Sequence, residues 1–508
     1  MSSTIGQNLF NRKRRLERRI DKADLSGADQ PMFTASNIHY ELGERTQAIG
    51  CGGIGLIHAM ARDLGLIGAI DRRLQLLKIH QPYHESDHVL NLAYLPLCGG
   101  TCLEDLELLR QDENHLDALG ARRSPDPTTA GDFCRRFDAD NIQTLQEIFD
   151  DMRIRVWSEQ PDSFFDQAII HMDGFLVETT GECKEGMDIA YDGTWGYHAL
   201  VVSLANTTEP LRIVNRSGNR PSEEGAAEQV DQAMATCFRG GFRTVRLCGD
   251  TAFSQTQHLD RWNADPRIRF VFGYDAMPNL KQIADELAET EWRELKRPPR
   301  YPVKTEPRER PLRVKDRIVR EREFDVLRLK SEEVAEFSYR PTACATTYRM
   351  IVVRKNISKE KGEQMLIDEV RYFFYITNDW ESTPAEIVFQ ANDRCHQENL
   401  LAQLASGVRA LRAPVDTLLS NWAYMVMTAL AWSLKAWWAL RLPETGRWAD
   451  KHHAEKKQVL GWEFKTFVNA FMRIPCQIIR TGRKLVYRLL AWNPHLSIFF
   501  RLVRVLNC

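Results

Sequence analysis

The clearest structural signal in the chain is the segment Ile169-Ile170-His171-Met172-Asp173-Gly174-Phe175-Leu176-Val177. It is an apolar run with one acidic residue at its centre and a glycine directly after that residue. Such a run predicts a buried strand. An aspartate is costly in a buried strand unless it has a partner, and a metal ion is a common partner. Asp173 is therefore the first candidate for a functional residue.

The overall composition is that of a large globular protein. At 508 residues the chain is too long for a single core, and several domains are expected. The formal net charge is only −1, but Lys and Arg concentrate in three segments, at 12–19, at 292–322 and after Lys451. Such segments are typical of a protein that contacts a polyanion at several points, and solvated surface is an alternative of about equal weight.

The cysteines and the apolar segments favour a cytoplasmic protein. Eleven cysteines are scattered along the chain, and the closest pair, Cys98 and Cys102, has no matching second pair. Reduced thiols explain this pattern most simply. The most apolar segment, Trp422 to Leu440, contains Ser433 and Lys435, so we expect a buried helix rather than a membrane span. The N-terminus lacks the apolar core of a secretory signal.

The residues after Asp173 predict a mixed α/β sheet. Short apolar or β-branched runs bounded by glycine predict further strands, and longer runs between them predict helices. The order is strand, strand, strand, helix, strand, helix, strand, helix, which differs from a regular doubly wound fold. The predicted strands are 199–204, 211–214, 244–249 and 269–274, and the predicted helices are 223–237, 255–262 and 281–295.

The next part of the chain predicts a β-rich segment followed by a helix. Residues 296–370 are rich in proline and basic residues at first and then alternate in the manner of β-strands, which predicts a β-rich insertion. A strand is expected at 371–376, and a helix that contains Glu398 is expected over 385–404. The remainder is mostly helical, rich in tryptophan and basic at its end.

A turn followed by an arginine pair marks the N-terminal helical region. Residues 124–129 are Ser-Pro-Asp-Pro-Thr-Thr, and the helix expected after them carries Arg135 and Arg136. A helix-turn-helix DNA-binding motif has this pattern, but so do many small helical bundles, which are about twice as common an explanation.

Three carboxylates could form a metal site. Asp250 ends the predicted strand 244–249, which can lie beside the strand of Asp173, and Glu398 could complete the set from its helix. Carboxylate oxygens suit Mg²⁺ or Mn²⁺, and two such ions can promote phosphodiester chemistry. Asp250 could equally be a helix cap, and Glu398 could form a surface pair with Arg394.

Several motifs resemble those of DDE transposases of bacterial insertion sequences, in the branch called the insertion sequence thirteen-eighty family. The resemblance covers most of the chain and is firmest from residue 165 onward. The motifs are Met172-Asp173-Gly174, Tyr191-Asp192-Gly193-Thr194-Trp195-Gly196-Tyr197-His198, Asn215-Arg216-Ser217-Gly218-Asn219-Arg220-Pro221-Ser222, Gly249-Asp250-Thr251, Phe272-Gly273-Tyr274-Asp275-Ala276, Ala391-Asn392-Asp393-Arg394-Cys395-His396-Gln397-Glu398-Asn399 and Ser420-Asn421-Trp422-Ala423-Tyr424-Met425.

The resemblance implies a fold and an activity. The fold would be an α/β ribonuclease-H-like core with a β-rich insertion, flanked by helical N-terminal and C-terminal regions. Asp173, Asp250 and Glu398 would hold Mg²⁺ or Mn²⁺, as two ions, and Arg394 would position a DNA phosphate. The protein would bind terminal inverted repeats and target DNA, act as a homodimer on DNA, and work in the bacterial cytoplasm at the nucleoid, away from any membrane.

Basic residues expected to contact the DNA backbone are Arg308, Arg310 and Arg313, together with Arg135 and Arg136.

The implied domain organisation follows the motifs. The expected units are a basic N-terminal arm (1–40), a helical DNA-binding domain (41–160), the first part of the core (161–295), a β-rich insertion (296–370), the second part of the core with the glutamate helix (371–410) and a helical basic C-terminal region (411–508).

Three positions depart from the family pattern. Ala391 stands where a tyrosine is usual, Ala405 where a lysine is usual, and Ala252 where an acid is frequent. Because Ala405 follows Glu398 by almost two helical turns, we expect both side chains on one face and Ala405 partly exposed. The departures leave two rivals to an active transposase: a DNA-binding regulator that no longer cuts, and a nuclease without strand transfer.

Overall fold

The computed structural model describes residues 3–21, 35–36, 38–41, 46–297, 325–361, 364–365, 369–393, 395–482 and 484–506. The described helices are α1 (Ser3–Asp21), α2 (Ile54–Asp63), α3 (Leu66–Arg73), α4 (Glu85–Leu97), α5 (Leu106–Gln111), α6 (Glu113–Leu119), α7 (Pro127–Cys134), α8 (Ala139–Trp157), α9 (Ala226–Arg239), α10 (Leu259–Asn263), α11 (Pro278–Glu286), α12 (Pro384–Asn392), α13 (Cys395–Ala402), α14 (Leu418–Leu440), α15 (Ala449–Leu460), α16 (Phe464–Phe467) and α17 (Leu496–Val505).

The described strands build one large mixed sheet and one small sheet. They are β1 (Ala48–Ile49), β2 (Gln167–Glu178), β3 (Asp188–Ile189), β4 (Trp195–Leu204), β5 (Glu209–Val214), β6 (Thr244–Gly249), β7 (Ile268–Tyr274), β8 (Arg293–Glu294), β9 (Asp325–Tyr339), β10 (Tyr348–Lys361), β11 (Gln364–Met365), β12 (Glu369–Thr377), β13 (Cys476–Thr481) and β14 (Lys484–Leu489). Their arrangement confirms the predicted mixed α/β architecture.

The large sheet has β2 and β6 near its centre. Its order is β3-β4-β2-β6-β7-β12-β10-β9-β8, with β5 paired to β4 and β11 to β10. Strands β2, β6 and β7 run parallel, whereas the other pairs in this sheet are antiparallel. Strand β4 is buried along almost its whole length, which explains its continuous apolar sequence.

The β-rich segment extends the central sheet. Strands β9 and β10 form a long antiparallel pair, and β12 joins that pair to β7. Residues 298–324, which include Arg308, Arg310 and Arg313, lie outside the described residues.

One predicted helix ends early and another is divided in two, and the sequence pattern indicates neither change. The helix predicted over 281–295 ends at Glu286 and is followed by the short strand β8. The helix predicted over 385–404 is two helices, α12 and α13. Their packing differs: Ile387 and Val388 of α12 join a small core cluster with Val271, whereas α13 packs on β2. Tertiary packing therefore divides a sequence that is helical throughout by local propensity.

The terminal regions are mostly helical and pack on one another. Residues 3–21 form α1, and Arg12 donates to the carbonyl oxygen of Leu489 at 3.0 Å. Helix α14 is buried from Ser420 to Leu440 except at Trp422, which confirms the predicted buried helix. In the described part of the chain, none of the helices combines the length and apolar character that crossing a membrane would need.

Candidate active site

The strand register aligns the first two predicted acids. In the parallel pair β2–β6, His171 lies opposite Cys248. Two residues further along, Asp173 lies level with Asp250, which directly follows the last residue of β6. Both residues are partly exposed. Asp173, within β2, and Asp250, directly after β6, thus lie side by side on neighbouring parallel strands, as the sequence predicted.

Asp250 caps a short helical turn in addition to lying level with Asp173. Its Oδ1 accepts a hydrogen bond of 3.0 Å from the backbone N–H of Ala252, at the start of a short 3₁₀ turn. The two alternatives left open by the sequence are therefore compatible, since a carboxylate has about four lone-pair positions and one N–H uses only one of them.

The residue after Asp173 must be glycine. Oδ1 of Asp173 accepts a hydrogen bond of 2.8 Å from the N–H of Gly174. A Cβ atom on Gly174 would lie 2.3 Å from Nε2 of His198, well inside van der Waals contact. The buried imidazole of His198 consequently lies directly against the backbone beside Asp173.

His198 and Arg216 hold the loop of residues 215–224 beside β4 and Gly174. Nδ1 of His198 is 2.8 Å from the carbonyl oxygen of Arg220, so Nδ1 carries the proton because a carbonyl can only accept. Burial lowers the pKa of His198 and also lowers the pKa of Arg216 to about 10. Arg216 donates to the carbonyl oxygens of His198, Pro221, Ser222 and Glu224.

The motif residues around positions 198 and 216 therefore act on the backbone. They fix a loop beside Gly174, a structural function that the sequence pattern does not indicate. Arginine donors directed at several carbonyl groups of one loop would have been hard to infer, since an arginine next to serine and asparagine resembles a surface residue.

Helix α13, which carries Glu398, packs on β2, and the neighbouring residue Gln397 holds it there. Glu398 is exposed, whereas Gln397 is 1% exposed. Nε2 of Gln397 donates to the carbonyl oxygen of Val201 at 3.0 Å, and Oε1 accepts from the hydroxyl of Ser203. In β4, Val201 is the residue that pairs with Asp173. Gln397 thus anchors the glutamate helix to the strand next to Asp173.

We expect Gln397→Leu to distinguish the effect of displacing α13 from the effect of lowering the overall stability. Leucine keeps the volume but removes both bonds to β4, so the free energy of unfolding should fall by about 1–3 kcal/mol. For the Mg²⁺-dependent DNA cleavage that the resemblance implies, the rate should fall by about 10–100-fold, with a higher Mg²⁺ requirement and nearly unchanged DNA affinity. Single-turnover cleavage over a Mg²⁺ titration measures this split between chemistry and binding.

Gln403→Leu is the matched control for that variant. Oε1 of Gln403 accepts a bond of 2.9 Å from the N–H of Phe464, which does not involve β4. This control should lose stability to a similar degree and keep its Mg²⁺ requirement. Equal changes in Mg²⁺ requirement for both variants would show that Gln397 only stabilises the fold.

The expectation for Ala405 was wrong. Ala405 is 9% exposed and belongs to the main hydrophobic core, whereas Glu398 is exposed. Residues Gln403–Gly407 form a π-helical turn, in which the N–H of Val408 bonds to the carbonyl of Gln403. A π turn holds more residues per turn than an α-helix, so the two positions no longer share a face. Ala405 is a packing residue, not a vacant place for a phosphate-binding lysine.

The other departures from the family pattern have local explanations. Ala252 presents its N–H to Asp250, and Ala391 packs against the small core cluster around Val388. Arg394 lies outside the described residues, so its predicted contact remains a prediction.

The two arginines that follow α7 lie in different environments. Arg135 pairs with Asp416 at 2.8 Å and with Asp132 at 2.7 Å, and these bonds, led by the one to Asp416, raise its pKa. Arg136 is exposed. Arg135 therefore links the N-terminal region to the loop before α14, and Arg136 is the better placed of the two for a partner.

Two compact groups of possible metal ligands occur among the described residues, and neither includes an acid of the predicted triad. They are Cys51 with Cys98 and His115, and His80 with His84 and Glu85. In the second group, Glu85 already accepts the backbone N–H groups of Leu76 and Leu77 at 3.1 and 3.0 Å.

Comparison with known proteins identifies the class to which this chain belongs. Residues 46–507 match the family described as Transposase DDE domain group 1. Because this match spans most of the sequence, the chain belongs to that family of DDE transposases, which act in transposition and DNA recombination. Transposases bind DNA, and DDE transposases typically use divalent metal ions.

More distant comparisons add little. No curated protein matches the sequence. One similar solved structure is the piggyBac transposase synaptic complex with hairpin DNA, determined by cryo-electron microscopy. It has 10% sequence identity and a TM-score of 0.36, covering 85% of this chain and 84% of that one. A TM-score this low supports no inference about the present chain.

Proposed function

We propose that the protein is the Mg²⁺-dependent transposase of a bacterial insertion sequence in the thirteen-eighty branch, with a ribonuclease-H-like core. It would cut DNA at the terminal inverted repeats of its element and join the freed 3′-hydroxyl to target DNA. The observation that carries this proposal is the alignment of Asp173 with Asp250 on parallel strands, with the Glu398 helix anchored at Val201.

The donor set fits the cofactor that this activity needs. Asp173, Asp250 and Glu398 offer only carboxylate oxygens, the ligands that Mg²⁺ and Mn²⁺ prefer. The three residues would hold the metal, as two ions. When bound, these ions would supply the Lewis acidity required for phosphodiester cleavage and strand transfer.

The described residues of the chain contribute position and order to this reaction. The N–H of Gly174 fixes one oxygen of Asp173, and the N–H of Ala252 fixes one oxygen of Asp250. The buried bonds of Gln397 keep the adjacent Glu398 near β2 and β4. Holding reacting groups in one geometry lowers the entropic part of a barrier.

DNA would be held by basic residues outside the acidic centre. We assign this function to Arg136, to Arg394 near the cut phosphate, and to Arg308, Arg310 and Arg313. Arg135 was a candidate on the sequence, but its two ion pairs balance its charge within the chain. Two element ends must be cut together, so a homodimer on DNA is part of the proposal.

Replacing Arg308, Arg310 and Arg313 with alanine should weaken binding to DNA of any sequence. Each lost phosphate contact lowers the slope of log affinity against log salt concentration by roughly one unit. Fluorescence anisotropy over a salt series measures both quantities. An unchanged slope with loss of sequence preference would indicate base recognition, and unchanged binding would remove the segment from the interface.

The proposed function is tested with a duplex that carries the inverted repeat from the DNA flanking the gene. The parent protein should cut the repeat end only when Mg²⁺ or Mn²⁺ is present, and the freed 3′ end should join a second duplex. Binding without cutting would support the rival regulator, and cutting without joining would support the rival nuclease.

A further inference from the structure

Two thiols and one imidazole converge in the N-terminal helical region, outside the candidate active site. Cys51 Sγ, Cys98 Sγ and a ring nitrogen of His115 lie within 4.8 Å of one another. We propose that these three side chains form a structural site for a thiophilic divalent cation, with Zn²⁺ as the ion it would take.

The spacing of the ligand atoms suits such an ion. Tetrahedral Zn²⁺, with Zn–S near 2.3 Å and Zn–N near 2.1 Å, places a sulfur and a nitrogen ligand about 3.6 Å apart. Cys51 Sγ and His115 Nδ1 are 3.8 Å apart. Sulfur and imidazole ligands are also those that favour Zn²⁺ over Mg²⁺. The pair therefore needs little movement to bind the ion.

Each ligand is held by a different element. Cys51 lies between β1 and α2, Cys98 is the residue that ends α4, and His115 belongs to α6. The backbone N–H of His115 donates to Oδ1 of the capping residue Asp112 at 3.2 Å, which fixes the start of α6. The three positions are therefore set by the fold before any ion binds.

The group lies at the border between the core and the surface of the helical region. Cys51 and His115 are buried, whereas Cys98 is partly exposed. Both cysteines are free thiols, and the thiolate is the form of cysteine that binds metals.

An ion here would connect parts of the chain that are far apart in sequence. Cys51 follows β1, and β1 pairs with β13 through Ile49 opposite Cys476. The site therefore adjoins the junction between the N-terminal helices and the C-terminal hairpin β13–β14. A metal that closes long loops stabilises the native state relative to the unfolded chain.

The test uses the full-length chain, purified under reductant, stripped with a chelator and titrated with Co²⁺. One equivalent should produce a thiolate-to-metal charge-transfer band, and Zn²⁺ should then abolish it. Oxygen-only carboxylate sites give no such band. Asp173→Asn should keep it, so failure of this site and failure of the proposed transposase function are distinguishable.

Two variants and one control make the assignment specific. Cys98→Ala should remove the band or weaken Co²⁺ binding by at least about tenfold, and His115→Gln, which keeps both thiols, should also weaken it. Cys134→Ala is the control, because Cys134 is a buried thiol of the same helical region outside the group. It should bind Co²⁺ like the parent.

Three results would overturn the site. One is absence of the band in the parent chain. Another is an equal band in the parent and in both ligand variants. The third is a Cys51–Cys98 disulfide, found by mass spectrometry of reductant-purified protein, because oxidised sulfur would no longer bind the ion.

Discussion

Asp173→Asn is expected to lower cleavage of inverted-repeat DNA by more than about a thousandfold, which corresponds to about 4 kcal/mol of activation free energy. Asparagine has nearly the shape of aspartate but lacks the negative charge that a hard divalent cation requires. Asp173 lies level with Asp250 across β2 and β6, so its loss removes one side of the proposed metal site.

The fold of this variant should remain intact. Asp173 is only partly exposed, but its observed bond from the N–H of Gly174 can be kept by the amide oxygen of asparagine. Thermal unfolding and gel-shift affinity for the DNA end should therefore stay close to those of the parent. Single-turnover cleavage with Mg²⁺ measures the loss.

Asp265→Asn is the matched control. Asp265 is partly exposed and lies before β7, which begins at the opposite edge of the sheet because β6 and β7 are parallel. Its cleavage rate should equal that of the parent. A rate for Asp173→Asn within tenfold of the parent would remove Asp173 from the catalytic group.

The strands that carry the two aspartates could be predicted from local sequence. The apolar run 169–177 and the run that ends at Gly249 indicated buried strands, and the structure has β2 and β6 there. Their pairing was a hypothesis of topology, and the observed register confirms that the strands are parallel neighbours. The local pattern is sufficient here because a run of consecutive apolar residues indicates a buried strand.

The glutamate helix shows where local pattern fails. Its division into α12 and α13, and the π turn that buries Ala405, depend on contacts with other elements. Gln397 stands beside Glu398 in sequence and has the appearance of a surface residue. Its function depends on Val201 and Ser203, almost two hundred positions earlier, and nothing in the local sequence indicates them.

The spacing of Cys51, Cys98 and His115 along the sequence likewise does not indicate a metal site. Zinc motifs are recognised by short intervals between ligands, whereas these ligands come from a loop before α2, the end of α4 and helix α6. A similar limit applies to buried charges, since charged residues are expected on the surface.

Glu209 is the most consequential of these buried charges. It begins β5 and is fully buried. Its carboxylate accepts hydrogen bonds from the indole N–H of Trp437 at 2.7 Å, the indole N–H of Trp157 at 3.1 Å and the hydroxyl of Thr207 at 2.7 Å. Arg153 is a further partner, with Nε 3.4 Å from Oε1.

This carboxylate belongs to a larger network that joins four elements. Arg153 and Asp150 lie on α8, and Asp150 also accepts from Arg212 of β5 at 2.6 Å and from Thr236 of α9 at 2.9 Å. Trp437 brings in α14. Glu209 consequently connects the N-terminal helices, the central sheet and the C-terminal helices at one buried point.

Glu209→Ala should lower the free energy of unfolding by about 3–5 kcal/mol. The substitution leaves the indole N–H groups of Trp157 and Trp437 buried without this acceptor, and it leaves Arg153 with one buried carboxylate instead of two. Unfolding in urea, followed by tryptophan fluorescence and circular dichroism together, measures the change.

Two comparisons identify the cause of that loss. Glu209→Gln keeps the shape and one acceptor oxygen but removes the charge, so its stability should fall between those of the parent and Glu209→Ala. Glu291→Ala changes an exposed glutamate and should alter the free energy of unfolding by less than about 0.5 kcal/mol. A loss below about 1 kcal/mol for Glu209→Ala would mean that the surrounding helices repack around the vacated carboxylate, and that the network does not hold the three regions together.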